Sequence, residues 1–449
     1  MQTKKSNAQR VKAVLSVILF IIVCFLYYLI IESGVIPGAD KDVDAKIAQL
    51  KQTEEAKKTV EGAIIDRNQE AITQAEEPGT PAICLFPEAY SSLIGYQSHR
   101  YGNSGIRKIY SSELLLGGKD EAGATIELTT DNALQTFCYQ LLGNQVGSIV
   151  IMENQSSQIL SMVNRSDETI EYNVNEIDKL FDTYKEIPEF FYHRALLAQD
   201  PPGSTWKIVT AAAMLENGMD DFVYEDTTGE YHGIRNAGQV PQGRTDLEKA
   251  LVTSSNTYFA KAGHILGGAA LEESASKFLV GETLPLDFTV LTSQLDLEFY
   301  QRELTEQTAF GQGRTTISPL QIAMILQAVV NDGKMQKPYL ISKITDDGKV
   351  IREGKREILS TAVAEKTADR LKEYLRKTAE SYGYEEDAYG TVYAKTGTAQ
   401  ISSKQYNHIY LVFATEEYTG IISMDRSSKS SSSLIPLSQE LLDYLQKNM

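Results

Sequence analysis

The sequence has few residues of the kinds that bind metal ions or form disulfides. Its 449 residues include three cysteines and five histidines, and it contains neither a Cys-x-x-Cys nor a His-Glu-x-x-His spacing. We therefore expect no zinc site, no other metal and no cofactor. Cys84 and Cys138 could pair if they lie outside the cell, and the sequence leaves that question open.

Basic residues are outnumbered by acidic ones. The chain has 43 Lys and Arg residues against 60 Asp and Glu, which gives a net charge of −17 at pH 7. Binding to nucleic acid needs basic patches that neutralise phosphates, so we expect no nucleic-acid partner. The balance is reversed in the first 31 residues, which contain basic side chains and no acidic one.

One long apolar run lies near the N-terminus. Residues 13–31 are uncharged and almost all large and apolar, and about 20 such residues suffice for a helix to cross a bilayer. The run predicts an uncleaved transmembrane helix, although a cleaved signal or a buried core helix is an alternative. The basic residues before it place residues 1–12 in the cytoplasm, so we expect a single-pass protein of the cell membrane with its bulk extracytoplasmic.

The rest of the chain divides in two by pattern. Residues 32–122 are expected to form a stalk and a short pedestal module, and residues 123–449 a larger domain. Strand patterns stand at both ends of that domain, around a largely helical insert, so they must meet in one sheet with helices on its faces. These patterns span residues 147–152, 158–163, 391–401, 408–415 and 420–424, and a closing helix spans 434–447.

Other segments also give local predictions. Asp131 can cap a helix that runs to Leu142, before Gly143 ends it. Residues 219–245 are predicted to be loop, residues 361–381 a helix, and the serine-rich residues 427–433 a mobile loop.

A serine and a lysine follow a run of helix-breaking residues. Residues 201–207 read Pro-Pro-Gly-Ser-Thr-Trp-Lys, and an apolar helix pattern follows. Ser204 and Lys207 should share one face of its first turn. Burial and nearby positive charge can lower the pKa of a lysine until it takes a proton from a serine. The ordinary alternative is a helix cap beside a solvated lysine. Ser274 and Lys277 have the same spacing, which we interpret as a polar helix face.

Two further polar clusters lie downstream. Ser254 and Asn256 interrupt a helical pattern, where they could relay protons and hold an amine, or merely cap a helix. Lys395, Thr396 and Thr398 lie on a predicted strand, where charge and hydroxyls could hold a carboxylate and Gly397 could let a substrate backbone lie close. The alternative is an ordinary edge-strand lysine.

The order Ser-x-x-Lys, Ser-x-Asn, Lys-Thr-Gly is that of active-site serine penicillin-binding proteins and β-lactamases. With Gly-Gln-Gly at 311–313 and Lys-Thr-Gly-Thr-Ala-Gln at 395–400, the chain resembles class B penicillin-binding proteins from about residue 125 onward. Gly-Ala-Ile-Ile-Asp-Arg-Asn at 62–68 resembles the family's N-terminal motif more weakly. The resemblance implies a penicillin-binding protein/β-lactamase-like transpeptidase domain, with an antiparallel five-stranded sheet, helices on both faces and a helical insert.

The resemblance also implies roles for the residues of the three motifs. Lys207 would deprotonate Ser204, which attacks the penultimate D-Ala carbonyl of a peptidoglycan stem peptide ending in D-Ala-D-Ala. The implied role of Ser254 is proton transfer to the leaving D-Ala, and that of Asn256 is orientation of Lys207 and the substrate amide. Lys395 and the hydroxyls of Thr396 and Thr398 would hold the terminal carboxylate, and Gly397 would also bind substrate. The N–H groups of Ser204 and Thr398 would form an oxyanion hole.

The implied partners are stem peptides, β-lactams and a SEDS-type glycosyltransferase.

The chain departs from the family pattern in three places: Glu61 replaces arginine, Gln69 replaces glycine, and the segment beginning at His408 lacks the usual aromatic-Phe-x-Gly-Phe sequence. A D,D-carboxypeptidase, a β-lactamase and a non-catalytic β-lactam sensor or wall-binding scaffold are alternatives. A role in division, elongation or sporulation is not specified by the sequence.

Overall fold

The computed structural model describes residues 58–449 except 99, 117–121, 167–171, 184–190, 298–300 and 401–406. The predicted tail 1–12, the predicted transmembrane helix 13–31 and most of the predicted stalk lie outside the described residues. Within the described ranges, no helix is both long and apolar enough to cross a membrane. Residues 59–449 form one compact unit, and the boundary at residues 122 and 123 stays a prediction.

Nineteen strands are present in the described part of the chain. They are β1 Ile64–Ile65, β2 Thr73–Gln74, β3 Ile83–Cys84, β4 Gln97–Ser98, β5 Gly102–Asn103, β6 Thr125–Leu128, β7 Gly147–Glu153, β8 Ile159–Arg165, β9 Tyr224–Asp226, β10 Glu230–Tyr231, β11 Ile234–Arg235, β12 Gly243–Thr245, β13 Lys334–Gln336, β14 Ile341–Asp346, β15 Lys349–Glu353, β16 Ile358–Thr361, β17 Tyr393–Gln400, β18 Asn407–Ala414 and β19 Tyr418–Ser427.

The same part of the chain contains fifteen α-helices. They are α1 Pro87–Ile94, α2 Gly105–Ile109, α3 Ser111–Leu115, α4 Asn132–Leu142, α5 Ile177–Thr183, α6 Arg194–Leu197, α7 Lys207–Glu216, α8 Leu247–Val252, α9 Asn256–Leu266, α10 Gly268–Lys277, α11 Arg302–Ala309, α12 Pro319–Val330, α13 Glu365–Ser381, α14 Glu386–Tyr389 and α15 Ile435–Asn448.

The predicted central sheet is confirmed. Its order is β17-β18-β19-β7-β8, with every neighbouring pair antiparallel, so strands from both ends of the domain meet in it. Strand β7 contains the apolar run Ile149–Met152, in which Ile149 and Val150, on opposite faces, are both fully buried. Helices therefore cover both faces of the sheet, as the α+β prediction requires.

A second, four-stranded sheet incorporates the N-terminal motif. Strand β1 pairs in parallel with β6, which pairs antiparallel with β14. Just after β1, the Asp66 carboxylate accepts hydrogen bonds from the backbone N–H groups of Asn68, Glu70 and Asn132. The carboxylate thus ties the turn of this motif to the first residue of α4. Asp131 caps α4 as predicted, accepting from the Leu134 N–H at 2.9 Å.

Three local predictions differ from the structure. Helix α13 begins at Glu365 rather than at 361, because Ile358–Thr361 pairs with β13 instead. The predicted loop 219–245 contains the short strands β9 to β12. The serine-rich segment forms a 3-10 turn at Ser431–Leu434, in which serine hydroxyls bond to one another and to the backbone. Hydroxyl-to-backbone bonds of this kind stabilise turns in segments that lack apolar residues.

Cys84 and Cys138 do not form a disulfide. Both thiols are free and buried. Burial raises the pKa of Cys84 to about 11 and that of Cys138 to about 12. Both are therefore structural, unreactive thiols.

Glu61, one of the departures from the family pattern, forms a buried ion pair. Its Oε1 lies 2.9 Å from Arg107 Nε, and the two side chains are only 1% and 2% exposed. The pair also bonds to Ala82, whose N–H donates to Glu61 and whose carbonyl accepts from Arg107. Burial raises the pKa of Glu61 despite the neighbouring guanidinium. The carboxylate therefore depends on Arg107 for its charge.

We predict that Arg107→Leu lowers the free energy of unfolding by about 3–5 kcal/mol, because it leaves a buried carboxylate without its counter-charge. Denaturant unfolding of the full chain measures this. The matched control is Arg100→Leu, since the Arg100–Asp182 pair is 61% and 56% exposed and should be worth less than about 1 kcal/mol. Equal losses in the two variants would contradict the prediction.

Candidate active site

Ser204 lies in a tight turn directly before a buried helix. Residues Gly203–Trp206 form a 3-10 turn and α7 begins at Lys207, so Ser204 precedes the α-helix rather than lying inside it. The spacing of three residues still brings the side chains together, because Lys207 Nζ donates to Ser204 Oγ at 2.9 Å. Lys207 is fully buried and Ser204 is partly exposed. The pairing predicted from the sequence is therefore present.

Glycines hold this turn against strand β17. Gly203 has a φ of +56°, and a Cβ there would lie 2.6 Å from the Thr398 carbonyl oxygen. A Cβ on Gly397 would lie 2.9 Å from the Pro202 oxygen. Gly397 was expected from the sequence to let a substrate backbone lie close. In the structure, the space that a Cβ on Gly397 would occupy is filled by the turn that carries Ser204. These contacts bring residue 204 beside Thr398.

The break between α8 and α9 both caps a helix and directs polar groups at a lysine amine, the two alternatives considered from the sequence. Ser255 caps α9 by accepting from the Tyr258 N–H. Ser254, with a φ of +55°, presents its carbonyl to Lys207 Nζ at 2.7 Å and its hydroxyl at 3.2 Å. Asn256 Oδ1 accepts from the same amine at 2.7 Å. The break therefore supplies three acceptors to one buried lysine.

Lys395 approaches the same hydroxyl from the sheet. It lies on β17, an edge strand, but it is fully buried and so does not serve as an exposed edge charge. Its Nζ donates to Ser254 Oγ at 3.0 Å. Ser254 is therefore hydrogen-bonded to two lysines.

The electrostatics favour a neutral amine at Lys207. Burial, and then the charge of Lys395, hold the pKa of Lys207 well below the usual 10.5. An uncharged amine 2.9 Å from Ser204 Oγ can accept the proton of the hydroxyl, as a general base must.

The serine turn opens into a cleft of about 1190 Å³. Ser204, Ser254 and Asn256 line one part of it, and Thr396 and Thr398 line another. The remaining lining comes from residues beside the three motifs and from other segments, namely Asp200, Pro201, Gly233–Gly238, Thr253, Gln307, Phe310, Gln312, Gly313, Gln400, Ser430 and Ser431.

Two polar neighbours of the site, Tyr382 and Ser431, were not predicted from the sequence. The Tyr382 hydroxyl lies 3.0 Å from Thr396 Oγ1 and 3.4 Å from Lys395 Nζ. Thr398 Oγ1 donates to Ser431 Oγ at 3.1 Å. Neither residue stands in a recognisable motif, and the serine-rich pattern around Ser431 was interpreted as a mobile loop. Only the fold brings these residues to β17.

The second Ser-x-x-Lys spacing lies elsewhere. Ser274 is buried and its hydroxyl donates to the Val209 carbonyl at 3.3 Å. Lys277 pairs with Glu273 at the surface. The interpretation of these residues as a polar helix face was wrong for Ser274, which is buried. Because Ser274 and Lys277 bond to different partners, they do not form a second serine–lysine site.

Residues 147–420, more than half of the chain, match the family model described as the penicillin binding protein transpeptidase domain. The chain belongs to this family. The membership confirms the resemblance drawn from the three motifs.

Curated members of the penicillin-binding protein family are similar to the chain at low identity. It is 25% identical over 373 residues to a peptidoglycan D,D-transpeptidase MrdA of Haemophilus influenzae, covering 72% of this chain and 56% of that protein. It is 24% identical over 295 residues to a peptidoglycan D,D-transpeptidase PbpA of Mycolicibacterium smegmatis, covering 58% and 59%. The chain thus spans a little over half the length of these relatives.

Solved structures of penicillin-binding proteins share the fold. The crystal structure of PBPA from Mycobacterium tuberculosis superposes with a TM-score of 0.78 at 19% identity, covering 86% of this chain and all 100% of that one. A D,D-transpeptidase domain from Eggerthella lenta gives a TM-score of 0.76 at 23% identity, covering 87% and 99%. These neighbours confirm the predicted transpeptidase fold.

We predict that Lys207 loses its proton well below pH 10.5, and that Lys395→Met raises that midpoint because it removes a positive charge from beside the amine. Both midpoints can be measured by NMR from the ¹³Cε signal of Lys207 in the full chain labelled at lysine. The signal is assigned by its absence from the Lys207→Arg variant. An ordinary midpoint in the unsubstituted chain would contradict the general-base assignment.

Proposed function

We propose that the chain is a serine-type D,D-transpeptidase that cross-links peptidoglycan stem peptides and is acylated by β-lactams. The observation that carries this proposal is the contact of 2.9 Å between Lys207 Nζ and Ser204 Oγ, in a cleft that also holds Thr398. A buried amine of lowered pKa beside a serine hydroxyl is the arrangement of an activated nucleophile. The names of the relatives, peptidoglycan D,D-transpeptidases, give the substrate class.

The first step is acylation of Ser204. Neutral Lys207 takes the hydroxyl proton while Oγ attacks the carbonyl carbon of the penultimate D-Ala. The backbone N–H groups of Ser204 and Thr398 stabilise the oxyanion, a role that the close approach of Gly203 to Thr398 supports. One such donor contributes about 3–4 kcal/mol in acyl transfer.

The leaving group needs a proton, and Ser254 is placed to relay it. Its hydroxyl contacts Lys207 Nζ at 3.2 Å and Lys395 Nζ at 3.0 Å. The proton taken from Ser204 passes from Lys207 through Ser254 to the amine of the terminal D-Ala as the carbon–nitrogen bond breaks. Asn256 fixes the base, because its Oδ1 accepts from Lys207 while its Nδ2 donates to the Arg235 carbonyl at 2.8 Å.

The second step transfers the acyl group. An amine of a neighbouring stem peptide attacks the ester carbon, the bond to Ser204 Oγ breaks, and the proton lost by the amine returns to Ser204. In the first step, before the terminal D-Ala leaves, the hydroxyls of Thr396 and Thr398, which line the cleft, bind its carboxylate. Gly397 permits the close contact between β17 and the serine turn. Lys395, buried beside Ser254, supplies positive charge that favours binding of the carboxylate.

We also propose the cellular setting predicted from the sequence. Residues 13–31 anchor the chain in the cell membrane, residues 1–12 lie in the cytoplasm, and the catalytic domain 123–449 stands outside on the pedestal 32–122. A SEDS-type glycosyltransferase is the proposed partner that makes the glycan strand. The uncharged run at 13–31 and the family membership support this setting.

Acylation of Ser204 is directly measurable. Incubation of the full chain with penicillin should add one intact penicillin mass to the peptide that carries Ser204. Lys207→Arg should slow this addition by about 10²–10⁴, because arginine cannot act as the base. Ser204→Ala should abolish it and Ser274→Ala should not, although both serines precede a lysine by three residues. Labelling with the opposite dependence would falsify the assignment.

The fate of the acyl-enzyme separates the related activities. With a D-Ala-D-Ala donor peptide, the proposed transpeptidase forms a cross-linked product whose yield rises with the concentration of an acceptor amine. A carboxypeptidase would release D-Ala at a rate independent of the acceptor. Rapid decay of the penicillin adduct in a mass-spectrometric time course would indicate a β-lactamase. A persistent adduct with no turnover of peptide would indicate a sensor or scaffold.

A further inference from the structure

A cluster of charged side chains lies beside the cleft and has no part in the mechanism above. His408 Nδ1 lies 3.1 Å from Asp200 Oδ2 and 3.3 Å from Asp425 Oδ1. Asp425 Oδ2 lies 2.6 Å from Arg194 Nε. Arg194 and His408 are buried, while Asp200 and Asp425 are partly buried. His408 begins the segment in which the chain departs from the family pattern.

The cluster joins both halves of the catalytic arrangement. Asp200 lies four residues before Ser204, and its carbonyl accepts from the Ile317 N–H at 3.1 Å. His408 lies on β18 directly opposite Ala399 of β17, the residue that follows Thr398. One imidazole therefore links the segment leading to Ser204 with the sheet that carries Thr398.

The charges of the cluster balance only when His408 is protonated. Two carboxylates and one guanidinium leave one negative charge uncompensated, and an unpaired charge is costly at such a depth. Burial alone would lower the pKa of His408, but Asp200 and Asp425 outweigh burial and raise it to about 9. Although burial opposes it, the charges of His408 and Arg194 lower the pKa of Asp425. These four side chains thus comprise two anions and two cations at neutral pH.

Within the described part of the chain, the other titratable groups that interact with the cluster are one imidazole and two phenols. Burial and the neighbouring charge of Arg194 lower the pKa of His193 to about 4, so this ring is neutral near pH 9. Tyr192 and Tyr410 both interact with Asp200 and Asp425. Burial, reinforced by these carboxylates, raises the pKa of Tyr192 to about 12 and that of Tyr410 well above its usual range. Neither phenol therefore loses a proton near pH 9, and His408 is the member of the cluster that does.

We propose that His408 is a positioning residue for acylation, whose imidazolium holds Asp200 and so fixes the turn carrying Ser204 against strand β17. His408 does not line the cleft and acts through Asp200, which does. Deprotonation of the imidazole leaves two facing carboxylates, and their repulsion loosens the turn. This inference rests on the proposed acylation of Ser204.

The test is the pH dependence of the first-order acylation constant with penicillin, measured on the full chain. Acylation should rise with pH as Lys207 loses its proton and fall again near pH 9 as His408 loses its own. His408→Gln should lower the constant at pH 7 between about tenfold and a hundredfold, the cost of a displaced nucleophile, and should remove the fall near pH 9. His264→Gln is the matched control. His264 Nδ1 also pairs with a carboxylate, lying 3.1 Å from Glu306 Oε1, but it is not a member of this cluster. The substitution should leave both limbs of the pH profile unchanged.

Asp200→Asn provides a second variant in case His408→Gln fails to fold. Removing one carboxylate should lower the pKa of His408, so the NMR titration of the His408 ring should move to lower pH. Because no facing pair of carboxylates then remains when the imidazole loses its proton, the descending limb near pH 9 should disappear. A descending limb that stays in place in every folded variant would overturn the inference while leaving the proposed function intact. Absence of any adduct on Ser204 at every pH would overturn both.

Discussion

The burial of two lysines around one hydroxyl is the constraint that shapes this molecule. Lys207 and Lys395 are both fully buried, and both donate to Ser254 Oγ. Across the described residues, no carboxylate forms a salt bridge with either amine. Two adjacent ammonium groups without counter-ions would be very costly at this depth. The least costly state keeps Lys207 neutral, and in the proposed mechanism this neutral amine is the base for the Ser204 hydroxyl.

The fold meets this constraint by bringing rigid elements into close contact. Lys207 starts a helix, Ser254 lies in the short break between α8 and α9, and Lys395 lies on a strand paired along its whole length with β18. Gly203 and Gly397 let the serine turn lie directly on that strand, because side chains there would collide with backbone atoms. The site is thus held by backbone packing. A larger residue at either glycine would separate the groups that the mechanism joins.

Much of the fold and the three motifs could be predicted from the sequence, because their signals are local. The apolar run in β7, the cap at Asp131 and the helix following Ser204 are each encoded within about a dozen residues. The family resemblance depended on motif order rather than on contacts. The short strands β9 to β12 were missed since strands of two or three residues have no measurable periodicity.

The neighbours of the site could not be predicted because they are brought together only by the sheet. Tyr382 reaches Thr396 across the junction of α13 and β17, and Ser431 reaches Thr398 from beyond β19. His408, which the sequence marks only as the start of a segment that departs from the family pattern, meets Asp200 across a sequence separation of more than 200 residues. Partners that are distant in sequence leave no local pattern, so polar residues outside the motifs looked unrelated.

The two main buried ionic clusters of the described chain differ in a way that bears on function. Glu61 and Arg107 form a buried pair whose side-chain hydrogen bonds, among the described residues, are to each other and to Ala82. Asp200, by contrast, belongs both to an ionic cluster and to the wall of the cleft. A change of charge at the first cluster can alter only the stability of the fold. Asp200 lies four residues before Ser204, so under the proposed mechanism a change of charge at the second cluster would also alter the position of the nucleophile.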